Sequence, residues 1–373
     1  MIVSILTAAL VVAGISSALA LVISLIDLVV NNYGEVRIDI NDGKKNLTVK
    51  GGAPLLGTLG ENGIFIPSSC GGRATCGVCK VKVLSDVGPH LPTELPFMSQ
   101  KEIADNIRLS CQIKLKADIR ISIPDELFAI ERYRARVEKI TPVTYDTEHI
   151  TLALLEPSHM TYQAGQFAQL AIPPYEDVKG ETIRAYSFAS PPSSADKVEF
   201  IIRYVPGGLA TTYVHRHLTE GQELAVIGPM GEFGLHEGHA DMICIAGGSG
   251  LAPIRSILID MHEKGIAKNS IWFFFGAVAG RDLYAVDEFH ALEKAWPIFH
   301  FVPALSAPAE SDKWEGETGL ITQVTEKYMK EKMDAAVPKE AYLCGSPGMI
   351  DASIKVLRAG GVPDDRIYYD KFS

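Results

Sequence analysis

The chain has 373 residues, of which 47% are hydrophobic and 21% are charged, so it can bury cores and is not disordered. Its length predicts two or three domains. A formal net charge of -10 argues against a nucleic-acid surface, which needs a basic patch to neutralise phosphates. We therefore expect a multidomain protein with no nucleic acid among its partners.

The N-terminal segment has no charged residue from Met1 to Ile26 and stays apolar to Val30. A helix of that length spans about 39 Å, enough to cross a hydrocarbon core of about 30 Å. A signal peptide is the alternative, since Ala18-Leu19-Ala20 is typical of a cleavage site, but no basic residue precedes the segment. Basic residues follow it instead. This pattern predicts a single-pass transmembrane anchor over residues 1–30 that contacts membrane lipid, in a cell inner membrane, with the bulk of the chain cytoplasmic.

The next block, residues 33–127, is predicted to be a small domain with short strands. Val36 to Ile40 and Leu47 to Val49 alternate apolar and polar residues, which is typical of half-buried strands. This domain contains most of the cysteines.

Four cysteines of this domain have the spacing of a metal site. Cys70, Cys76 and Cys79 form a C-x5-C-x2-C pattern, and Cys111 follows. Four thiolates are what a [2Fe-2S] cluster needs, two on each iron. Zinc is the alternative, but zinc sites usually pair two CxxC units or add histidines, and no second CxxC exists here. The small residues that let this backbone curl around a cluster are Gly71, Gly72 and Gly77.

The third block, residues 130–236, has β-rich stretches separated by Pro-Pro and Gly-Gly turns, which predicts an antiparallel β-barrel. At the end of one stretch, Arg184 can fork onto a diphosphate, Tyr186 can lay its ring on an isoalloxazine, and Ser187 can reach the flavin N5. Further candidates for flavin binding are a basic side chain and a Gly-rich helix start, an ordinary anion site: Arg203, Gly208 and Thr211.

The last block, residues 240–373, alternates apolar strands with helical stretches such as Ile254 to Lys264 and Met349 to Ala359. This alternation predicts a doubly wound α/β domain. After the first strand, small residues let a pyrophosphate approach the backbone at a helix start: Gly247, Gly248, Ser249 and Gly250.

Two further features of the last block point to the nicotinamide. Cys344 and Gly345 follow a strand at the position where a nicotinamide would meet the flavin. Phe372, near the end of the sequence, is predicted to cover the flavin face until the nicotinamide displaces it. The remaining cysteine, Cys244, is interpreted as a small buried hydrophobic residue.

These motifs in this order resemble the ferredoxin reductase superfamily, with RxYS at Arg184 to Ser187, GGxGxAP at Gly247 to Pro253 and CGxxxM at Cys344 to Met349. With the apolar N-terminal segment and the cysteine cluster, the whole chain is similar to the family of F subunits of Na⁺-translocating NADH:quinone oxidoreductases. The resemblance implies an α+β β-grasp ferredoxin domain with a [2Fe-2S] cluster, an FAD-binding barrel and an NADH-binding domain. By the same resemblance, Cys70, Cys76, Cys79 and Cys111 ligate the cluster, and Arg184, Tyr186, Ser187 and Thr211 hold FAD.

The implied activity is that of an NADH:acceptor oxidoreductase dependent on FAD and a [2Fe-2S] cluster. Hydride would pass from NADH to FAD, with Ser187, Tyr186, Cys344 and Phe372 at the reacting rings, and single electrons would pass to the cluster. Partner redox subunits and, indirectly, quinone would follow, with Na⁺ transport as a possible coupled step. NADH is favoured over NADPH because the chain is apolar after the second strand of the last domain, up to Arg281.

Two other function classes remain open at this point. A reductase component that delivers electrons to an oxygenase has the same domain order but normally lacks an anchor. A structural membrane scaffold would contain no coloured cofactor.

Overall fold

The computed structural model describes residues 12–22 and 33–372. Residues 12–22 form helix α1. Most of the predicted anchor over residues 1–30 lies outside the described residues. Among the helices that are described, none has both the length and the apolar composition needed to cross a membrane.

The described chain divides into two compact units. The first contains residues up to 66 and residues 72–129, and the second contains residues 67–71 and 130–372.

The first unit is built on a mixed five-stranded sheet in the order β2-β1-β5-β3-β4, as far as the chain is described. β1 pairs with β5 in parallel, and the other neighbours are antiparallel. Leu55 and Leu59 of α2 are fully buried in the same core as Ile38 and Ile40 of β1. The bounds are β1 Glu35–Ile40, β2 Lys45–Lys50, α2 Leu55–Glu61, β3 Lys80–Val83, α3 Gln100–Ala104, β4 Ile107–Leu109 and β5 Ile119–Ser122.

The second unit begins with an antiparallel sheet in the order β10-β7-β6-β11-β8-β9. A bridge between Phe188, just after β9, and Phe200 of β10 joins the two edges, and both rings are fully buried. The predicted antiparallel barrel is therefore confirmed. Its elements are β6 Glu131–Thr144, β7 Thr147–Glu156, β8 Phe167–Ile172, β9 Thr182–Ser187, β10 Lys197–Arg203, α4 Leu209–Arg216 and β11 Glu223–Met230.

The rest of the second unit is a parallel sheet in the order β15-β14-β13-β12-β16-β17. α5 and α6 contribute to a core on one side and α7 and α8 to another, which is the predicted doubly wound arrangement. The bounds are β12 Asp241–Gly247, α5 Leu251–Lys264, β13 Ile271–Ala277, α6 Val286–Ala295, β14 Phe299–Leu305, β15 Glu317–Thr318, α7 Ile321–Glu331, β16 Lys339–Gly345, α8 Pro347–Ala359 and β17 Ile367–Lys371.

Two helices begin earlier than the sequence predicts. α5 starts at Leu251 and α8 at Pro347, because both follow directly on the small residues that end β12 and β16. Pro347 occupies the first turn of α8, where its missing N–H costs nothing. The interpretation of Cys244 is confirmed, since this residue of β12 is fully buried.

Candidate functional site

The cysteine loop of residues 70–79 has an unusual backbone. Gly71, Gly72, Ala74 and Gly77 all have positive φ, from 57° to 86°. A side chain at Gly77 would lie 2.6 Å from the Phe97 ring, so only glycine fits there. Repeated left-handed residues curl the chain tightly, as a loop around a cluster must do.

Within the first unit, Cys79 and Cys111 are brought together although they are far apart in the sequence. Ser110 donates from its backbone N–H and its hydroxyl to the Cys79 carbonyl, at 2.8 and 3.0 Å. The adjoining Cys111 thiol and burial raise the pKa of the Cys79 thiol. Both side chains are buried, as is Cys70, whereas Cys76 is half-buried. Iron binding would have to ionise these thiols.

Gln112 adds a polar contact that the sequence did not predict. Its Nε2 lies 3.8 Å from the Cys111 Sγ, and its Oε1 accepts a hydrogen bond of 2.9 Å from the Thr93 hydroxyl. The Thr93 bond directs the amide N–H groups towards the sulfur. Such donors stabilise a reduced cluster.

A buried ion pair supports this part of the unit. Arg108 and Glu94 are almost fully buried and lie 2.7 Å apart, and Glu94 also accepts from the Leu109 N–H at 3.0 Å. These bonds hold the pKa of the Glu94 carboxyl below its usual value against the opposing effect of burial. Arg108 lies three residues before Cys111, so the pair fixes the approach of the chain to this cysteine.

The described residues contain no group of three or more His, Cys, Asp or Glu side chains arranged around one metal ion. A [2Fe-2S] cluster takes two ligands on each of two irons and so requires no such group. The donor chemistry of four thiols and the curled glycine loop fit a cluster of this kind.

The flavin motif lies on β9. Arg184 and Tyr186 are half-buried, and Ser187 ends the strand with a buried hydroxyl. Burial raises the pKa of the Tyr186 hydroxyl, which keeps this ring neutral. A neutral half-buried ring near the end of a strand suits a stacked isoalloxazine.

The start of α4 is the predicted anion site of the flavin domain. Gly208 is the N-cap residue and no side chain caps the helix, so the first N–H groups point outward. The Thr211 hydroxyl bonds the carbonyls of Val205 and Gly208, at 3.2 and 3.3 Å. A phosphate would therefore bind mainly to the backbone N–H groups of this turn, and less to the Thr211 hydroxyl.

The Gly-rich loop after β12 packs directly on the end of β16. A side chain at Gly250 would lie 2.3 Å from the Cys344 carbonyl oxygen, which excludes any residue but glycine. Gly248 has φ of 55°, and its carbonyl accepts a hydrogen bond of 2.8 Å from Tyr284. The structure thus brings together the two motifs predicted to bind the nicotinamide cofactor.

The space above this loop is open. A side chain at Gly248 would meet only the guanidinium of Arg203, at 3.9 Å. Arg203 is held there by Asp146, whose Oδ2 accepts from its Nε at 2.7 Å. An open glycine backbone, a 14-residue helix behind it and a fixed arginine fit a pyrophosphate.

The flavin motif contacts the nicotinamide motif within the second unit, in a group of residues that we call the crevice: Ser187, Cys344, Gly345, Asp370 and Phe372. The Ser187 hydroxyl donates to Asp370 Oδ2 at 3.4 Å, and Asp370 is the register partner of Cys344 between β16 and β17. Burial raises the pKa of the Asp370 carboxyl, and the Ser187 hydrogen bond opposes the rise. Burial, together with the charge of Asp370, raises the pKa of the Cys344 thiol well above its usual range. Cys344 is therefore a neutral thiol.

Phe372 is also at this crevice. It is half-buried, packs against the core around α5, and donates from its backbone N–H to the Gly345 carbonyl at 3.1 Å. The predicted residues Ser187, Cys344, Gly345 and Phe372 thus converge, as do Gly247 to Gly250.

Sequence reasoning missed Asp370, Tyr284 and Asp146. Asp370 lies 183 residues from Ser187, so no local pattern links the two. The one sequence signal that could have found it is an acidic residue directly after two tyrosines near the end of a strand, in Tyr368-Tyr369-Asp370.

Three family models match successive parts of the chain. A 2Fe-2S iron-sulfur cluster binding domain matches residues 38–116, an oxidoreductase FAD-binding domain residues 134–234, and an oxidoreductase NAD-binding domain residues 244–355. The predicted cofactors, a [2Fe-2S] cluster, FAD and NAD(H), are confirmed in the predicted order.

Solved structures share this domain arrangement. A cytochrome P450 reductase from Amycolatopsis is 26% identical with a TM-score of 0.71, covering 90% of this chain and 98% of that chain. The ferredoxin reductase in carbazole 1,9a-dioxygenase is 28% identical with a TM-score of 0.68, covering 91% of this chain and 99% of that chain.

The most informative likeness is to relatives named as the F subunit of Na(+)-translocating NADH-quinone reductase. The protein from Neisseria gonorrhoeae is 33% identical over 390 residues, covering 95% of this chain and 96% of the relative. The protein from Pseudoalteromonas atlantica is 34% identical over 376 residues, covering 91% and 92%. This chain is therefore an NADH oxidoreductase and belongs to the family of F subunits of Na⁺-translocating NADH-quinone reductases.

Proposed function

We propose that this chain takes hydride from NADH onto FAD and sends single electrons through a [2Fe-2S] cluster to partner subunits, with quinone as the final acceptor. The observation that supports it most strongly is the crevice in which Ser187 of the flavin barrel bonds Asp370 beside Cys344. Hydride transfer needs the two rings at near contact, so residues of both motifs have to converge. FAD, when bound, supplies the conversion of a two-electron hydride into two one-electron transfers.

The residues of the second unit would divide the binding of the two nucleotides. The loop from Gly247 to Gly250, with Ser249, would hold the NADH pyrophosphate. No side chain caps the start of α5, so its backbone N–H groups are available to the phosphates. Arg184, Tyr186, Ser187, Gly208 and Thr211 would hold FAD, and Arg203, which lies over Gly248, would bind the NADH pyrophosphate.

The crevice residues would surround the place where the nicotinamide ring meets the flavin ring. Cys344 would lie beside the nicotinamide as a neutral thiol, because the residue is fully buried and burial keeps its pKa high. Ser187 would orient the flavin near N5, and Asp370 fixes the Ser187 hydroxyl. Phe372 would leave the flavin face when the nicotinamide arrives, while its backbone N–H would stay bonded to the Gly345 carbonyl at the end of β16.

Cys70, Cys76, Cys79 and Cys111 would ligate the cluster. The spacing of the first three, the curled backbone between them and the adjoining Cys79 and Cys111 support this assignment.

The residues 1–30 would anchor the chain in the cell inner membrane as a single-pass segment with the bulk of the chain cytoplasmic. The names of the relatives support a membrane complex with further subunits, Na⁺ transport and quinone reduction. The test is to purify the complex from membranes, identify its subunits, and follow NADH oxidation with quinone. Quinone reduction by the membrane fraction that is stimulated by Na⁺ supports the proposal, and activity confined to the soluble fraction contradicts it.

A second candidate is a reductase component for an oxygenase. The likeness to the Amycolatopsis cytochrome P450 reductase and to the reductase in carbazole 1,9a-dioxygenase favours it. In that case NADH oxidation would be restored by a soluble oxygenase and not by quinone.

A further inference from the structure

The turn after β13 and the loop after β14 form the outer wall of the proposed NADH site. β12, β13 and β14 are parallel neighbours, and Gly247 lies beside Gly276, which lies beside Ala304. In a doubly wound domain the pyrophosphate lies at the end of the first strand, and the adenosine ribose lies towards the neighbouring strand ends. This wall, residues 278–282 and 306–313, would therefore face the ribose 2′ position of NADH bound at the Gly-rich loop.

Arg281 is one of two basic residues of the wall, and the other is the exposed Lys313. An arginine at this place ordinarily favours the 2′-phosphate of NADPH. Here the Arg281 guanidinium lies over the Tyr145 ring, 5.0 Å from its centroid. Two carboxylates of the same wall, Asp282 and Asp312, accept hydrogen bonds from backbone N–H groups, and a third, Glu310, is exposed.

Asp312 is the more rigidly held of these carboxylates. Its Oδ2 accepts hydrogen bonds from the Gly280 N–H and from the Ala309 N–H, each of 2.9 Å. These two bonds lower the pKa of the Asp312 carboxyl, and the charge of Arg281 lowers it further. The second carboxylate, Asp282, accepts from the Ala279 N–H at 3.0 Å. The wall therefore combines two cationic side chains with two carboxylates that backbone N–H groups hold in place, Asp282 and Asp312, and with the exposed Glu310.

We propose that Asp312 is a specificity-determining residue that rejects NADPH. Its fixed carboxylate engages the Arg281 charge and repels a 2′-phosphate, which carries roughly two negative charges. The 2′-hydroxyl of NADH meets no such repulsion and can donate a hydrogen bond to an acceptor. This inference rests on the proposed binding of NADH at the Gly-rich loop and adds the means by which the site selects NADH.

The substitution Asp312→Asn tests the inference. An asparagine Oδ1 can still accept from both Gly280 and Ala309, so the loop keeps its conformation while the charge is lost. The control is Glu310→Gln, which removes one exposed negative charge from the same loop.

Two measurements on the FAD-loaded full chain decide the outcome. Anaerobic stopped-flow reduction gives the NADH to NADPH ratio of reduction efficiency. The ratio of the inhibition constants of AMP and 2′-phospho-AMP against NADH gives the same preference without any hydride step. We expect Asp312→Asn to lower both preferences by about tenfold or more, equivalent to about 1.4 kcal/mol, mainly through tighter binding of the 2′-phosphate. We expect Glu310→Gln to leave both unchanged.

Unchanged preferences in Asp312→Asn, or an equal change in Glu310→Gln, would overturn the inference. If NADH does not reduce the flavin of the wild-type chain, the proposed function fails. Direct binding of AMP and 2′-phospho-AMP, followed by calorimetry, then still tests the role of Asp312.

Discussion

The cysteine loop and the crevice of the second unit are assembled in different ways. The loop positions its sulfurs by local backbone conformation, with four residues of positive φ between residues 70 and 78. The crevice joins Ser187 to Asp370 across 183 residues of sequence. A local site is specified by spacing and glycines, whereas a distant one depends on the packing of whole elements. Changes in the loop should therefore abolish one cofactor, and changes in the crevice should alter a rate or a binding constant.

The largest expected effect is that of Cys79→Ser. Because Cys79 is buried beside Cys111, a hydroxyl there should prevent cluster assembly. We expect loss of iron and of the EPR signal, with FAD content and flavin reduction by NADH retained. The control is Cys244→Ala, in the core beneath α5 and α6, which should keep its iron. Loss of FAD from Cys79→Ser would show that the two regions are not separable.

The next effect is a slower hydride step in Ser187→Ala. Removing one positioned hydroxyl should slow flavin reduction by on the order of 100-fold, with iron content unchanged. Stopped-flow absorbance of the flavin measures it. The control is Ser193→Ala, since Ser193 is an exposed serine of the same unit that bonds Glu263. An unchanged rate in Ser187→Ala would discard the proposed role of Ser187.

A third substitution, Gly250→Ala, tests the contact between the two nicotinamide motifs. The added methyl would lie 2.3 Å from the Cys344 carbonyl, so the backbone has to shift at a cost of about 1–3 kcal/mol. We expect a lower Tm and an NADH dissociation constant about tenfold higher. Gly180→Ala is the control, because nothing lies within 4 Å of a side chain there and Gly180 belongs to neither nicotinamide motif. Equal NADH affinity in both variants would mean that the loop does not bind the cofactor.

The smallest effect is a pH-dependent gain of stability in Asp370→Asn. Since burial raises the pKa of the folded carboxyl, its ionisation destabilises the fold as pH rises from the ordinary carboxyl range through the raised pKa. The asparagine removes this penalty. We expect thermal unfolding to show a gain on the order of 1 kcal/mol near pH 8 that disappears towards about pH 4. A gain that persists at the lower pH would contradict the assignment of the shift to Asp370.

Much of the fold was readable from the sequence because its signals are local. The alternation in β1, the apolar strand β12 and the small residues after it each indicate structure within a few residues. The cysteine spacing and the RxYS motif were readable for the same reason.

What could not be predicted depends on tertiary packing. The contact of Asp370 with Ser187, the stacking of Arg281 on Tyr145 and the contact of Gln112 with the Cys111 sulfur are set by packing or side-chain orientation. The Asp312 carboxylate, which accepts from the Gly280 and Ala309 N–H groups, likewise follows from the fold of the loop and from no local pattern.

The most direct test of the proposed electron path is anaerobic mixing of the full chain with NADH, followed by freezing for EPR. We expect bleaching of the oxidised flavin first and then the signal of a reduced [2Fe-2S] cluster. Bleaching with no cluster signal, or zinc in place of iron, would contradict the proposed path.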